Sequence, residues 1–411
     1  MSALDAHLFR AEHGRLIATL TARFGVQHLE TIEDVVQETL LAAMHHWPHR
    51  GRPENPRAWL STVARNKLLN ALDQDARRDR LHRQHRGALR PGEAEPDAVL
   101  LAGDIEDDLL RMMFACCNLD VAPRDQVAIV LSILCGFGAR EVARALLMEP
   151  GAAAKRLYRA KRALRERGEA PTPVGGDALE ASLQRVGTCL YALFNEGYCS
   201  TASEDLLRRE LCEEAMRLCA LVVRRFPEAR PLRALLALMC LHAARFDSRV
   251  DADGALIAFE DQDRSRWDAD LIQEGLWQLF QSAGGDVLSA WHIEASIAAQ
   301  HCTAPSLAET DWPTIRVLYA QLRARRPSPM LDLVCVVVGS RIEGPEAALA
   351  ALHGRGDLAH LPLYHATVGV LQMERGARPA AREALQQALR LTHAPRERAF
   401  LERRLREAER P

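Results

Sequence analysis

The chain has 411 residues, 48% of them hydrophobic, with 10 cysteines and a formal charge of −2. That length can bury a substantial core and should hold two or three domains, which excludes a disordered chain. No apolar run reaches membrane-spanning length, "MSALDAHLFRAEHGR" lacks a signal-peptide core and no C-x-x-C pair occurs, so the expectation is a cytoplasmic protein whose cysteines are small buried hydrophobes.

The near-neutral total hides local asymmetry. Residues 57–90 hold nine Lys or Arg against three acids, and residues 151–168 hold seven against one. Basic stretches on a neutral protein point to a polyanion met at chosen places, with solvated helix faces as the bland reading. Glycine, proline and charge divide the chain into segments at about 5–80, 104–167 and 178–411. Two polar connectors separate them, "RGALRPGEAEPD" (86–97) and "RGEAPTPVGGD" (167–177). Nearly every periodic stretch is helical, so the expected fold is all-α.

In the first segment, Leu8, Leu16 and Leu20 mark one helix, and Val36, Leu40, Ala43 and Trp47 mark the next. Asp34, Gln37 and Glu38 stand on the face away from Val36 and Leu40. "WPHRGRPENPR" (47–57) reads as a polar, proline-rich loop. The helix after it, "NPRAWLSTVARNKLLNALDQDARRDR" (55–80), buries Trp59, Leu60, Val63, Leu68 and Leu72. It exposes Arg65, Asn66, Lys67, Asn70, Arg77 and Arg78. Asparagine beside arginine and lysine can contact both base edges and phosphates.

In the second segment, "MMFACCNLDVAPRDQVAIVLSIL" (112–134) predicts a supporting helix pair, and its twin cysteines read as structural rather than redox-active. "CGFGAREVARALLMEPGAAAKRLYRAKRALRE" (135–166) then predicts a helix-turn-helix. Val142, Ala143, Leu146 and Leu147 form the apolar side of its first helix. After a break at Met148–Pro150, Leu157, Ala160 and Leu164 face inward on the second helix. Lys155, Arg156, Arg159 and Arg162 face solvent, with Lys161 near the edge. Such a helix can enter a major groove with its basic face on the phosphates, and the small residues Gly151 to Ala154 permit close approach.

The third segment predicts stacked helical hairpins, with turns at Pro227 and at Gly376–Pro379. The advance from Pro362 to Arg396 is about the 34-residue period of a tetratricopeptide (TPR) repeat, and Ala380, Ala381, Ala384 and Ala388 would let helices approach closely. "LDLVCVVVGS" (331–340) has strand-like valines but sits between helices and is read as helix. Within "FEDQDRSRWDAD" (259–270), Asp261, Asp263 and Asp268 lie within reach of Arg264 and Arg266. The expectation there is a charge-paired helix start with Trp267 inward.

Together these motifs resemble an extracytoplasmic-function (ECF) RNA polymerase sigma factor. The resemblance rests on the acidic "EDVVQETLLAA" helix, the polar loop, "AWLSTVARNKLLNAL" and a helix-turn-helix ending "RLYRAKRALRE". "LYALFNEGYCST", "DQDRSRWDADLIQEG", "TDWPTIRVLYAQL" and "RERAFLERRL" are similar to a subgroup with a C-terminal TPR-like extension. The resemblance implies sigma domain 2 over 1–85, a linker at 86–103, sigma domain 4 over 104–168, a linker at 169–177 and a TPR-like regulatory domain over 178–411. It implies that Asp34, Gln37 and Glu38 dock core polymerase. Asn55, Arg65, Asn66, Lys67, Asn70, Arg77 and Arg78 would meet the −10 element, and Lys155, Arg156, Arg159 and Arg162 the −35 element. The loop before Arg57 has no aromatic residue, so base capture there would fall to polar groups such as Asn55. The implied partners are core RNA polymerase and promoter DNA, with room for a protein or small-molecule partner of the C-terminal domain and none for a membrane.

Two other classes of protein share some of these features. A stand-alone helix-turn-helix regulator with a sensing domain leaves the basic segment at 57–80 and the acidic helix before it unexplained. An enzyme built on the 259–270 acids finds no nucleophile elbow, P-loop or H-E-x-x-H motif. "DADGALIAFEDQ" (251–262) begins like a calcium loop, but Ala255, Leu256 and Gln262 occupy positions that need a ligand, a glycine and a glutamate. No catalytic residue, cofactor or metal is expected.

Overall fold

The computed structural model describes residues 3–83, 102–146, 148–168, 176–198, 209–249, 251, 257–285, 287–392 and 395–409. Most of both expected linkers, Leu147, residues 252–256 of the calcium-like stretch and the side chains of Leu8 and Arg78 lie outside the described residues. Among the described residues all regular structure is helical, with eighteen α-helices and no strand. Their contacts form two compact units, Met1–Ala192 and Leu193–Pro411.

The first unit begins with α1 (Ala3–Phe24), α2 (Leu29–Arg50) and α3 (Pro56–Arg83). Leu16, Ile17 and Leu20 of α1, Leu29, Ile32 and Val36 of α2, and Leu60 and Leu68 of α3 are buried at helical spacing. The expected loop at 47–57 is shorter than its composition suggested. Helix α2 runs through Pro48 to Arg50, because a proline in the last turn removes only one hydrogen bond, and Gly51 (φ 84°) ends it.

Four further helices follow, α4 (Ala102–Cys117), α5 (Pro123–Ile133), α6 (Ala139–Ala145) and α7 (Pro150–Arg167). They are continuous with α1–α3 in packing. Gly14 of α1 meets the end of α5 so closely that a Cβ there would lie 2.2 Å from the Leu134 carbonyl oxygen. Cys116 and Cys117 are fully buried. Burial pushes the Cys116 thiol up; a hydrogen bond with Cys189, then burial, does the same for Cys117, as expected of structural cysteines. Helix α8 (Asp177–Tyr198) contains the division between the units. Its residues up to Ala192 belong to the first unit, where Ser182 and Arg185 both donate to the Asn118 side-chain oxygen at 2.8 and 2.5 Å.

The second unit opens with α9 (Arg209–Arg225), α10 (Arg230–Ala243), α11 (Ala269–Ser282) and α12 (Ala290–Thr303). It continues through α13 (Trp312–Arg325), α14 (Pro329–Glu343), α15 (Pro345–Leu352), α16 (Pro362–Glu374), α17 (Arg378–Leu391) and α18 (Pro395–Glu409). The valine-rich stretch is helix α14. Helices α9 and α10 bury Leu218, Val222, Leu235 and Leu238, and from α12 onward the core is a relay of small clusters: Ile293, Ile315 and Val338; then Leu333, Leu352 and Leu371; then Ala381, Leu385 and Leu401. The same close approach occurs twice. Gly275 of α11 rests on Ala237 and Leu241, and Gly369 of α16 rests on Ala381 and Leu385. In each case a glycine faces an alanine and a leucine one turn apart, so the backbones can meet.

The 259–270 stretch differs from its expected pairing. Trp267 is inward, 7% exposed, and its indole N–H donates to Ser248 Oγ at 2.8 Å. Asp261, Asp263 and Asp268 do not form ion pairs with Arg264 or Arg266. Asp263 accepts from the Ser265 backbone N–H at 3.0 Å and Asp268 caps α11 through Leu271 N–H at 3.0 Å. Glu260 and Asp261 instead take Arg404 of α18 at 2.7 and 3.5 Å. Arg264 donates to the carbonyls of His301 and Ala304 and stacks 4.6 Å from the Trp267 ring centre. Short aspartates next to backbone N–H groups cap helices more readily than they reach long arginines. The stretch is a structural clasp.

Candidate nucleic-acid interface

Helix α2 buries Val35, Val36 and Thr39 and turns Asp34, Gln37 and Glu38 outward. Glu38 accepts from Lys67 Nζ of α3 at 2.8 Å, which fixes α3 against this acidic face. On α3, Asn66, Asn70 and Arg77 form one exposed stripe, because steps of four and seven residues return to the same side of a helix. Arg65 is half-buried. Asn55 is exposed at the start of α3, where its side-chain oxygen accepts from Ala58 N–H at 3.1 Å. That leaves its amide N–H groups as the end that can meet a base. Trp59 is half-buried in an edge-on contact with Trp47, ring centres 5.7 Å apart, and Trp47 stacks on Phe9. Arg57 is drawn onto α1 by Glu12 at 2.9 Å.

Helix α7 starts at Pro150, a residue suited to a first helical turn. It buries Ala153, Leu157, Ala160 and Leu164. Lys155, Arg159 and Arg162 are exposed opposite that stripe. Tyr158, 60% exposed, stands among them. Its spacing, three residues after Lys155 and four before Arg162, would have identified it as part of this face. Arg162 pairs with Glu166 one turn on, at 2.6 Å. Arg156 differs from its expected role. It bends back to the buried Asp125 of α5 at 2.5 Å, with Arg159 3.5 Å from the same carboxylate, so it braces the helix-turn-helix. On the other flank Lys161 and Arg165 reach across to α2, to Glu33 at 2.7 Å and Glu30 at 2.6 Å.

The arrangement offers two basic or amide-rich helix faces and one acidic face, each backed by buried leucine, isoleucine or valine. It suits binding of a polyanion by phosphate contacts and hydrogen bonds to base edges. Among the described residues no three potential metal-binding side chains converge, and no helix is long and apolar enough to cross a membrane.

The chain is similar to known proteins along most of its length. Residues 8–78 match the Sigma-70 region 2 family, and residues 182–283 match a family of unknown function, DUF6596. An uncharacterized protein of Rhizobium meliloti (strain 1021) is 34% identical over 382 residues, 92% of this chain and 90% of that protein. The ECF RNA polymerase sigma factor SigL of Mycobacterium tuberculosis is 33% identical over 172 residues, 40% of this chain and 90% of SigL. No solved structure matches. With a Sigma-70 region 2 match at residues 8–78 and 33% identity over 90% of SigL, the chain belongs to the ECF RNA polymerase sigma factors and carries a C-terminal DUF6596 extension.

Proposed function

We propose that the chain directs promoter-specific transcription initiation. Asp34, Gln37 and Glu38 dock on core RNA polymerase. The α3 stripe and Asn55 meet the −10 element, and Lys155, Tyr158, Arg159 and Arg162 meet the −35 major groove. The observation that carries this reading is the pair of outward polar faces on α3 and α7, each opposite a buried apolar stripe, in a chain of the ECF family. Interfaces of this kind bind mainly through phosphates and specify through a few base contacts. The division into sigma domain 2, sigma domain 4 and a TPR-like regulatory array belongs to the same proposal. The clustered relay from α12 to α18 supports the array, since stacked hairpins bury their core only against neighbours.

In vitro transcription with core polymerase on a promoter library tests the reading. Full-length protein is expected to give starts downstream of a shared −35/−10 pair. A truncation after residue 198, rather than 177, keeps the Ser182 and Arg185 contacts to Asn118 and tests regulation by the extension through a change in initiation. DNA binding without polymerase and no polymerase-dependent starts would favour a stand-alone regulator and overturn the proposal.

A further inference from the structure

Helices α11 and α12 of the second unit border a cleft of about 550 Å³. It is lined by Leu276, Leu279 and Phe280 of α11 and by Val287 and Leu288 of the connection to α12. Three of these side chains are turned outward: Phe280 is 74% exposed, Val287 58% and Leu288 48%. Trp277, one turn before Phe280 on the same helix, is 50% exposed. Single apolar side chains on a surface need no explanation, but several side by side at a cavity mark a binding site.

The polar side chains of the lining are already bonded inside the unit. Ser282 Oγ donates to the Leu279 carbonyl at 2.6 Å and Ser296 Oγ to the His292 carbonyl at 2.8 Å. The His292 ring is held between Ser289 Oγ at 2.8 Å and the Ser282 carbonyl at 3.3 Å. Burial keeps this imidazole below its usual range, so it is uncharged near neutral pH. Charge comes from beside the lining. Arg230, the first residue of α10, packs on Gly284 and Gly285, where a Cβ would lie 3.3 and 2.3 Å from its Nη1. Both glycines have positive φ, 97° and 72°, so backbone and space together reserve this approach for glycine. Arg230 is half-buried, and its guanidinium has no carboxylate, carbonyl or ring partner among the described residues. Arg264 and Arg404 of the same unit have such partners.

We propose that this cleft binds an amphipathic organic acid, its hydrocarbon tail against Leu276, Leu279 and Leu288 and its carboxylate on Arg230. A guanidinium without an acceptor suits an anion that brings two parallel oxygens. A lone cation matches a singly charged carboxylate better than a doubly charged phosphate ester. The volume falls within the roughly 300–1,000 Å³ of small-molecule sites. A stable protein interface needs about 800 Å² a side, more than these four part-exposed side chains offer. The site goes beyond the promoter reading and does not depend on it.

Isothermal titration of the full-length chain with hexanoate, octanoate and decanoate tests the site. Binding is expected at one acid per chain, tightening by up to about fourfold per added methylene until the cleft is full. Decyltrimethylammonium, with decanoate's tail length and the opposite charge, should bind at least about tenfold more weakly. Arg230→Gln should weaken decanoate binding by about tenfold or more, and Arg230→Lys, which keeps the charge, by less. Val287→Glu, at an exposed position of the lining, should abolish it. Hydrogen exchange should place the protection given by decanoate on the α11–α12 connection. No saturable binding of any acid would overturn the proposal, as would equal binding of the two decyl amphiphiles. Undiminished binding by Arg230→Gln or Val287→Glu would do the same, and equal loss in Arg230→Lys and Arg230→Gln would make Arg230 a structural residue. Self-association without acid binding, abolished by Val287→Glu, would overturn it in favour of an interface between copies.

Discussion

Lys155, Arg159 and Arg162 of α7 stand away from the core, facing solvent, with exposed Glu166 and one edge of Asp125 as their acidic neighbours. In the second unit Arg245 lies 4.4 Å from the Phe259 ring centre and bonds Gln262, Arg264 bonds two carbonyls, and Arg404 takes Glu260. All are long cations, although residues 151–168 are strongly basic and residues 259–270 strongly acidic in sequence. They differ in how far the fold itself supplies acceptors. Where it does, a guanidinium becomes internal structure; where it does not, the charge remains available to a partner. The exposed cations Lys155, Arg159 and Arg162 should therefore govern binding, and the arginine-aromatic clasp of the second unit should govern stability.

The largest test of that difference is Trp267→Ala. The indole is nearly fully buried, holds Ser248 and seats Arg264. Its removal should cost about 3–5 kcal/mol, mostly through the cavity left behind. Hydrogen exchange should show loss of protection across α10–α12 with the first unit's protection unchanged. Equal loss in both units would break the distinction.

Acid should separate the units next. Burial lowers His242 to about 3 and His301 to about 4 in the second unit, aided by neighbouring arginines, and burial lowers His13 to about 4 in the first. The folded values lie below the ordinary 6.5, so this stability is present above pH 6.5. It is lost as pH falls from there toward about 4, where the unfolded chain takes up protons the fold refuses. Each histidine contributes a slope of about 1.4 kcal/mol per pH unit. Burial lowers His292 of the second unit as well, so among the described residues three histidines there stand against one in the first. The second unit should therefore lose stability more steeply than the first between pH 6 and 5. Unit-resolved hydrogen exchange at the two pH values measures it, and parallel losses would contradict the assignment.

Replacing Lys155, Arg159 and Arg162 together by alanine should leave both units folded, since none of the three is buried. Affinity for a −35 duplex should fall, and its slope against the logarithm of salt concentration should shrink by about 0.9 for each phosphate no longer neutralised. Arg404→Ala should do the reverse, loosening α18 without altering the salt slope. A salt slope unchanged by the triple substitution would move the DNA face elsewhere.

These outcomes also mark how far the sequence could be read. The inward stripe Leu157, Ala160 and Leu164 and the outward Asp34, Gln37 and Glu38 follow from helical periodicity, a local property that any folded context must respect. The helical state of the valine-rich α14 followed from its neighbours. Periodicity groups Arg156 with Lys155 and Arg162 and places Lys161 only near the edge of their face. The fate of Arg156 and Lys161 depends on Asp125, 31 residues away, and Glu33, 128 residues away. Nothing in the spacing of a basic helix announces such acceptors. The aspartates of 259–270 show the same limit at short range, because a nearby arginine competes poorly with a backbone N–H already in place.

That competition gives the smallest and most discriminating prediction. Asp268 caps α11 through Leu271 N–H, and its own N–H donates to the Ala244 carbonyl at 2.8 Å. Asp268→Ala removes only the cap and should cost about 1 kcal/mol, whereas Asp268→Asn or Asp268→Ser, which also cap, should recover most of it. If the carboxylate acted instead as an ion-pair partner of Arg264 or Arg266, asparagine and serine would fail to rescue and high salt would erase the wild-type advantage. Urea unfolding of the four proteins at low and high salt separates the cases. Rescue by Asn and Ser at both salt concentrations would mean that this aspartate serves the backbone, as Arg264 serves the carbonyls of His301 and Ala304, and that the charges of the second unit are used inside the fold.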